Sequence, residues 1–541
     1  VQTYPLVLNL SSGIYGYAGD SLAIIIHFRQ LSDSLGSPAL GKAFRYVRPV
    51  TDGLGALLTR ATGPVAAYNL LLLASYAGTA ITTYLLAMRI TRSHLGAMLA
   101  AFVFTFCPYR LLHSYGHLYL AGTQWLPLYV LALLRLREKP TFPRTVQLGA
   151  VILLVGLSSF YYGYYAVLMF VPLVLSLLLH PAPSKGRFVA LAACSFGPAA
   201  IASRLLFRHR VEGIISPQAP TEKLLYDLFV YSARPLEYIV PHASGLWRSV
   251  VLSFWRNNLH GSNEVEQALF LGYIPLVLAA VAVGALLRRR APRWPMALSL
   301  TLTLCAVALT APPAFGAGGL RFYGPSFFLS SVFPAFRVYA RAGALAYLGV
   351  ALLAGLGWAA LQFSRPRVRW LPWALVVTAT LAEYTNVPPF RFLSLEPRPV
   401  HRWLRDVEGT FSIVEYPLPP PPQRLTGRRF YYALFHGKKS RTHLSQADLS
   451  QIRVLDASAT ALMGEQGVRF VIFHSEPLDR PRDIVIDGMS LPSVPPAPQV
   501  VPGSGLRLVG RVGGATVYEV SGWEQSGPAP GERSDTQPVT P

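Results

Sequence analysis

The chain has 541 residues, of which 52% are hydrophobic and only 14% charged, and its mean hydropathy is +0.37. Soluble domains carry about 25% charged residues, so this composition excludes a soluble globule, a disordered chain, a coiled coil and a disulfide scaffold. It points to a polytopic membrane protein. The 48 Lys+Arg against 26 Asp+Glu, a net charge of +22, would suggest nucleic acid in a soluble protein. No motif of a nucleic-acid-binding module is present, and the excess reads as the basic ends of membrane helices. Cys107, Cys194 and Cys305 fall inside apolar stretches with neither disulfide nor metal spacing, so they read as small core residues.

A spanning helix needs roughly 17–25 mostly apolar residues. In chain order the pattern predicts spans at about 65–88, 95–111, 119–135, 145–160, 161–179, 187–206, 268–287, 295–312, 342–362 and 369–386. The run around SSFYYGYYA is too long for one helix, and the expected break is at Gly163. The loops 89–94, 135–144, 180–187, 288–294 and 363–369 hold 15 Lys+Arg and one acid, Glu138, whereas 112–118 and 160–165 hold no Lys or Arg. By the positive-inside rule the first group is cytoplasmic. Residue 1 and the C-terminal region then lie outside. The chain opens on VQTYPLVLNL, with no initiating Met, signal or complete first span, so one further helix is expected upstream.

Three extracytoplasmic regions are large. The first, 11–64, contains IYGYAGDS; the second, 207–267, contains RPLEYIVPHASGLW and runs into NEVEQALFLGY; the third is the tail from about 387. In the tail FSIVEYPL, VRFVIFH and ATVYEVSG alternate like strands, while HRWLRDV and DLSQIRVLDASATALMGEQG look helical. The expected organisation is a membrane domain over 1–386, a small extracytoplasmic α/β domain over 387–520 with PLPPPP (417–422) as a stiff loop, and a disordered tail over 521–541. The fold class is thus an all-α polytopic helical bundle with a small C-terminal α/β domain.

Asp20 sits in IYGYAGDS where the first outer loop is expected to leave the membrane. A carboxylate there serves as a general base toward a hydroxyl or binds a divalent cation (Mg or Mn); the alternative is an ordinary N-cap of the helix that follows. Arg110, Arg337 and Arg341 are expected on the outer side, the last two four apart on one helical face leading into a span. Each either binds phosphate through its guanidinium fork or snorkels to lipid headgroups. His113 and His117, four apart at a span's end, suit hydrogen bonding to sugar or phosphate. Two histidines without a third ligand do not make a metal site. Glu264 and Glu266 are read as opening the helix after the second large loop, either favouring its N-terminus or touching a cation or acceptor. The tyrosines of SSFYYGYYA, together with His242 and Trp247, either line a sugar cleft or follow the interfacial preference of amphipathic rings. Asp52 reads as a loop residue, and His436 in FHGKK either touches a glycan or is a histidine of the folded tail.

The outer-loop "GD", AYNLLLLASY (67–76) and CPYRLLHSYGHLYLAGTQWLPLYVLALLR (107–135) resemble uncharacterised bacterial multi-spanning relatives of the GT-C glycosyltransferases. The resemblance continues through EQALFLGYIPLVLA (266–279), FRVYARAGALAYLGVALLAGLG (336–357), YALFHGKK (432–439) and GVRFVIFH (467–474), and so covers most of the chain in order. It implies a helical body in the bacterial inner membrane with an outward-facing site. It also implies transfer of a sugar, with inversion, from a polyprenyl-phosphate donor to a glycan, lipid or protein acceptor. An acid in the first outer loop is the family's catalytic feature, and Asp20 matches its position. The neighbouring residue is Ser21, where some members carry a second acid, which leaves a paired-carboxylate or metal-dependent mechanism open. Two other classes remain: a transporter or flippase of lipid-linked saccharide, and a silent scaffold binding surface polymer. The spans hold almost no ionisable residues mid-helix, which favours chemistry at the membrane surface over transport.

Overall fold

The computed structural model describes residues 6–16, 20–36, 48–197, 222–258, 260, 263–288, 292–317, 320–361, 370–386, 392–418, 428–444, 447–476, 478 and 496–523. The expected stiff loop lies outside these residues from 419 to 422, and the expected disordered tail from 524 onward. The chain divides into two compact units, residues 1–2, 47–54 and 69–390 in the first and 3–46, 55–68 and 391–541 in the second.

The first unit is helical. Pro64–Thr91, Phe160–Leu177, Arg293–Thr310 and Tyr339–Ala360 are long and apolar enough to cross a bilayer, and His94–Thr105, Phe142–Ser158 and Tyr273–Leu287 are shorter apolar helices. Gly343–Ala360 is the core: apart from its last two residues it is buried on every side, packed against the 94–105, 273–287 and 293–310 helices. Its small residues permit this, because helices in lipid associate by close backbone approach. A Cβ at Gly357 would stand 1.9 Å from the Leu278 carbonyl oxygen, and one at Gly355 2.6 Å from that of Gly96.

Three expected elements differ. The 95–111 span is helical only to Thr105 and resumes at Pro108–His113, since Cys107, preceding a proline, takes an extended backbone. The 119–135 span is divided between Leu118–Ala121 and Trp125–Glu138. The long aromatic run breaks at Ser159, which is extended, and not at Gly163. Gly163 is helical and lets two helices touch, since a Cβ there would meet the Gly156 Cα at 2.8 Å. Arg137, expected in a basic loop, lies in the last turn of the helix Trp125–Glu138 and is fully buried. It donates to the carbonyls of Leu177 (3.1 Å), His180 (2.8 Å), Pro183 (2.8 Å) and Ala182, closing the end of the neighbouring helix.

The second unit is built on a five-stranded mixed sheet ordered Leu506–Val512, Ala515–Val520, Val468–His474, Ser412–Tyr416, Lys439–Ser440. Val468–His474 and Ser412–Tyr416 pair in parallel and the first three strands are antiparallel. Strand alternation gives each face its own core. Val414, Tyr416 and Val471 pack with Met463 on one side, joined by Val468 across a register shift before Phe470, and Ile413, Phe470 and Ile472 pack with Val400 and Leu404 on the other. The segment DLSQIRVLDASATALMGEQG is helical only over Ala457–Glu465, which Asp456 caps by accepting from the Ala459 N–H at 2.8 Å. The expected first outer loop does not stand alone. Gly13–Tyr15 pairs antiparallel with Phe392–Ser394, and the helix Asp20–Ser34 packs on Arg428–His436, so this stretch folds with the tail domain.

Candidate functional site

Three segments of the first unit bring His113, Glu266 and Arg341 together. Glu266 lies in a turn over 264–267, not on a helix, and the following helix begins only at Tyr273. The turn is fastened from below. Tyr347 donates to the carbonyls of Ala268 (3.2 Å) and Phe270 (2.6 Å), and Tyr384 to that of Leu271 (2.6 Å). Arg341 lies in the 3-10 turn Tyr339–Ala342, while Arg337 precedes it in irregular chain, so the two do not share a helical face. The tyrosine run holds this turn. Tyr165 donates to the Val338 carbonyl at 2.9 Å, Tyr164 bonds Tyr339 at 2.8 Å, and the Tyr161 ring lies 4.6 Å beneath the Arg341 guanidinium.

Arg341 grips Glu266 in a fork, Nη2 to Oε1 at 2.6 Å and Nε to Oε1 and Oε2 at 3.0 and 3.3 Å. Burial by itself would raise the Glu266 carboxyl; Arg341, together with His113, outweighs it and holds the group well below the usual carboxylate range. His113 is fully buried, and its Nδ1 lies 2.7 Å from the Tyr109 carbonyl. A carbonyl only accepts, so Nδ1 carries the proton and Nε2 keeps its lone pair. That Nε2 lies 3.6 Å from Glu266 Oε2, beyond hydrogen-bond length, and has no hydrogen-bond partner among the described residues. Burial pushes the imidazole below its ordinary value, with the Glu266 carboxylate opposing. The result is a buried acceptor beside a neutralised ion pair, suited to a hydroxyl donor.

His117 is not on the same helix as His113, since the helix ends at His113 and His117 caps the next one; their rings are 5.5 Å apart. Glu264 is buried, and its Oε1 has no hydrogen-bond partner among the described residues. Arg337 makes a half-exposed pair with Asp227 at 2.9 Å. Arg110 is sealed in the fold: it donates to the Ala121 and Thr105 carbonyls at 3.0 Å each and to Ser75 Oγ at 2.8 Å, with its guanidinium 3.7 Å over the Tyr76 ring. These contacts correct the expectation of an interfacial cation; Arg110 braces the helices around it.

Several partners escaped the sequence reading. His242 bonds Asn386 Oδ1 at 2.6 Å, and Asn386 donates to Tyr115 at 2.8 Å. Glu237 bonds His260 at 2.8 Å. Asp52 is buried and accepts from Tyr119 Oη and the Arg48 amide, both at 2.6 Å. Asp52, expected in a loop, instead lies in the first turn of the helix Pro49–Thr62, and its partner Tyr119 is 67 residues away. Asp20 opens its helix in the second unit, whereas the His113–Glu266–Arg341 cluster belongs to the first. No convergent metal-holding group includes Asp20 among the described residues.

No family model matches the chain, and no curated protein matches it. Among solved structures, the single-particle cryo-EM structure of the arabinofuranosyltransferase AftD from Mycobacteria superposes over 95% of this chain at a TM-score of 0.53 and 16% identity. A mutant structure of the same enzyme does so over 88% at 0.51 and 15%. The chain spans only 39% and 36% of those chains, about two fifths of their length. At such identity the likeness speaks for the fold alone. The chain is a multi-pass membrane protein with the GT-C glycosyltransferase fold: a mainly helical bundle with a C-terminal mixed-sheet domain.

Proposed function

We propose that the protein is a glycosyltransferase of the bacterial inner membrane, its C-terminal domain extracytoplasmic. It transfers a sugar from a polyprenyl-phosphate donor to a glycan, lipid or protein acceptor with inversion. The observation that carries this reading is the buried acceptor His113 Nε2, set against the Glu266–Arg341 pair within a GT-C fold. On the sequence resemblance alone, Asp20 is the candidate for the base that takes the proton of the acceptor hydroxyl as its oxygen attacks the anomeric carbon. The bond from that carbon to the phosphate oxygen breaks, and polyprenyl phosphate leaves. His113 Nε2 accepts a hydroxyl of the donor sugar. Glu266 orients Arg341 through Nε and Nη2, leaving Nη1 to meet the phosphate charge.

The test is complementation of the native host lacking its own copy, with lipid-linked and surface glycans read by mass spectrometry. Because the mycobacterial relative is named for arabinofuranosyl transfer, a pentose increment is the first to look for. Wild type is expected to restore a glycan one sugar larger, while Asp20→Asn, at equal abundance in the membrane, loses about 10²- to 10⁴-fold in turnover. Equal glycans from both would make Asp20 a helix cap. An unchanged glycan profile with wild type would leave the protein a scaffold or transporter.

A further inference from the structure

The second unit holds a polar cluster that the transferase reading does not use. Glu415 lies in the strand Ser412–Tyr416 with no exposure at all, on the face that carries Ile413 and the helix Pro399–Asp406. That helix contributes His401, and the adjacent parallel strand ends in His474, on the same face as Phe470 and Ile472. Both imidazoles turn Nε2 toward one carboxylate oxygen, His401 at 3.0 Å and His474 at 3.1 Å from Glu415 Oε1. Ser440 Oγ lies 3.4 Å from the other oxygen. Among the described residues no lysine or arginine pairs with Glu415.

A buried carboxylate that no lysine or arginine pairs with among the described residues is costly in a dry interior unless a cation reaches it. The three ligand atoms already converge, all within 4.8 Å of one another. In a tetrahedral zinc site, with bonds of about 2.1 Å, ligand atoms stand roughly 3.4 Å apart, close to the 3.0 and 3.1 Å that separate the two imidazoles from Oε1 here. Two imidazole nitrogens and one carboxylate suit zinc and its first-row neighbours; magnesium and calcium ask for six or more oxygens. A fourth group bears on the same place. His436 Nδ1 accepts the Lys438 amide at 3.0 Å, so its Nε2 carries the proton. That Nε2 is buried without a hydrogen-bond partner among the described residues, in a ring stacked 5.9 Å from His401.

We propose that His401, Glu415 and His474 bind one divalent transition-metal ion of the zinc class. The ion supplies the missing positive charge and fastens the helix Pro399–Asp406 to two neighbouring strands of the sheet. With side chains this deeply buried its role is structural. Water or hydroxide completes the coordination and gives the His436 Nε2–H an acceptor.

The test uses the full chain, purified in detergent without a metal-affinity step and analysed for first-row transition metals by mass spectrometry. The expected content is about one equivalent per chain, as for a structural zinc site. Glu415→Gln and His474→Ala are expected to lose it, by more than the roughly 10- to 100-fold in affinity that loss of an outer partner costs. His474→Cys, which restores a ligand, and His436→Gln are expected to keep it. A chelator should lower the Tm of wild type and leave that of Glu415→Gln unmoved. Should His474→Ala fail to fold, His474→Cys decides. The proposal is overturned by equal metal content in wild type and Glu415→Gln. It is equally overturned by a wild type that stays metal-free after dialysis against zinc, or by loss of metal from His436→Gln with retention in His474→Ala. In those cases the cluster is a hydrogen-bonded triad.

Discussion

Glu266 in the first unit and Glu415 in the second are both nearly sealed from solvent, at 4% and 0% exposure, yet their surroundings differ in charge. Glu266 has a guanidinium in a two-nitrogen grip, so its charge is balanced within the fold. Glu415 has two imidazoles and a hydroxyl and no permanent cation among the described residues. A neutralised ion pair is complete in itself and shapes a polar site around it. A carboxylate held only by imidazoles is complete once a cation arrives. The two units thus treat buried charge in different ways, the first as scaffolding for a site and the second as a ligand set.

The largest expected effect comes from breaking the balanced pair. Glu266→Ala leaves Arg341 buried and uncompensated, at a cost of about 3–5 kcal/mol. Unfolding in detergent measures it, and the double change Glu266→Leu with Arg341→Met should lose less than the single change. An unaltered single variant would show that Arg341 finds water, and the comparison with Glu415 would fall. A smaller effect is expected at Asp52, which is buried with a phenol and an amide among its donors. Tyr119→Phe removes one of them and should cost about 1–3 kcal/mol, read as a shift in the unfolding midpoint. The smallest belongs to Glu519, whose partners Arg507 and Arg469 are respectively exposed and half-buried. Arg507 foremost, then Arg469, holds its carboxyl below the ordinary value of 4.5. Its contribution is therefore fully present above about pH 4.5 and is lost as pH falls through the lower folded value. Glu519→Gln should flatten the stability–pH curve in that acid window, with a small loss of stability at neutral pH and convergence on wild type at the acid end. A slope that persists in the variant would assign the acid sensitivity to other carboxylates.

The legible part of the fold follows from local pattern. Apolar runs of helical length placed helices near each expected span, and alternation marked Ser412–Tyr416, Val468–His474 and Ala515–Val520 as strands. Boundaries were less legible where a competing local effect intervened, as at Pro108, or where glycine serves contact and not breakage, as at Gly163. Of the site, His113, Glu266 and Arg341 were singled out as residue types at a span's end. Their union was not readable, because they lie 153 and 75 residues apart along the chain and meet only through the turn that Tyr347 and Tyr384 pin. Arg110 shows the reverse: its position suggested an interfacial cation, while packing gives its donors to three groups of the fold.

By itself, then, the sequence determined that the chain lives in a membrane and which of its stretches form helices and which form strands. Hydropathy and periodicity act over one or two turns or a single strand, so they can be read without the rest of the molecule. Only the tertiary structure decided that Gly13–Tyr15 joins Phe392–Ser394, and that His401, Glu415 and His474 surround one point. Both unions depend on burying polar groups that must find partners, and the partner is chosen by the whole packed chain.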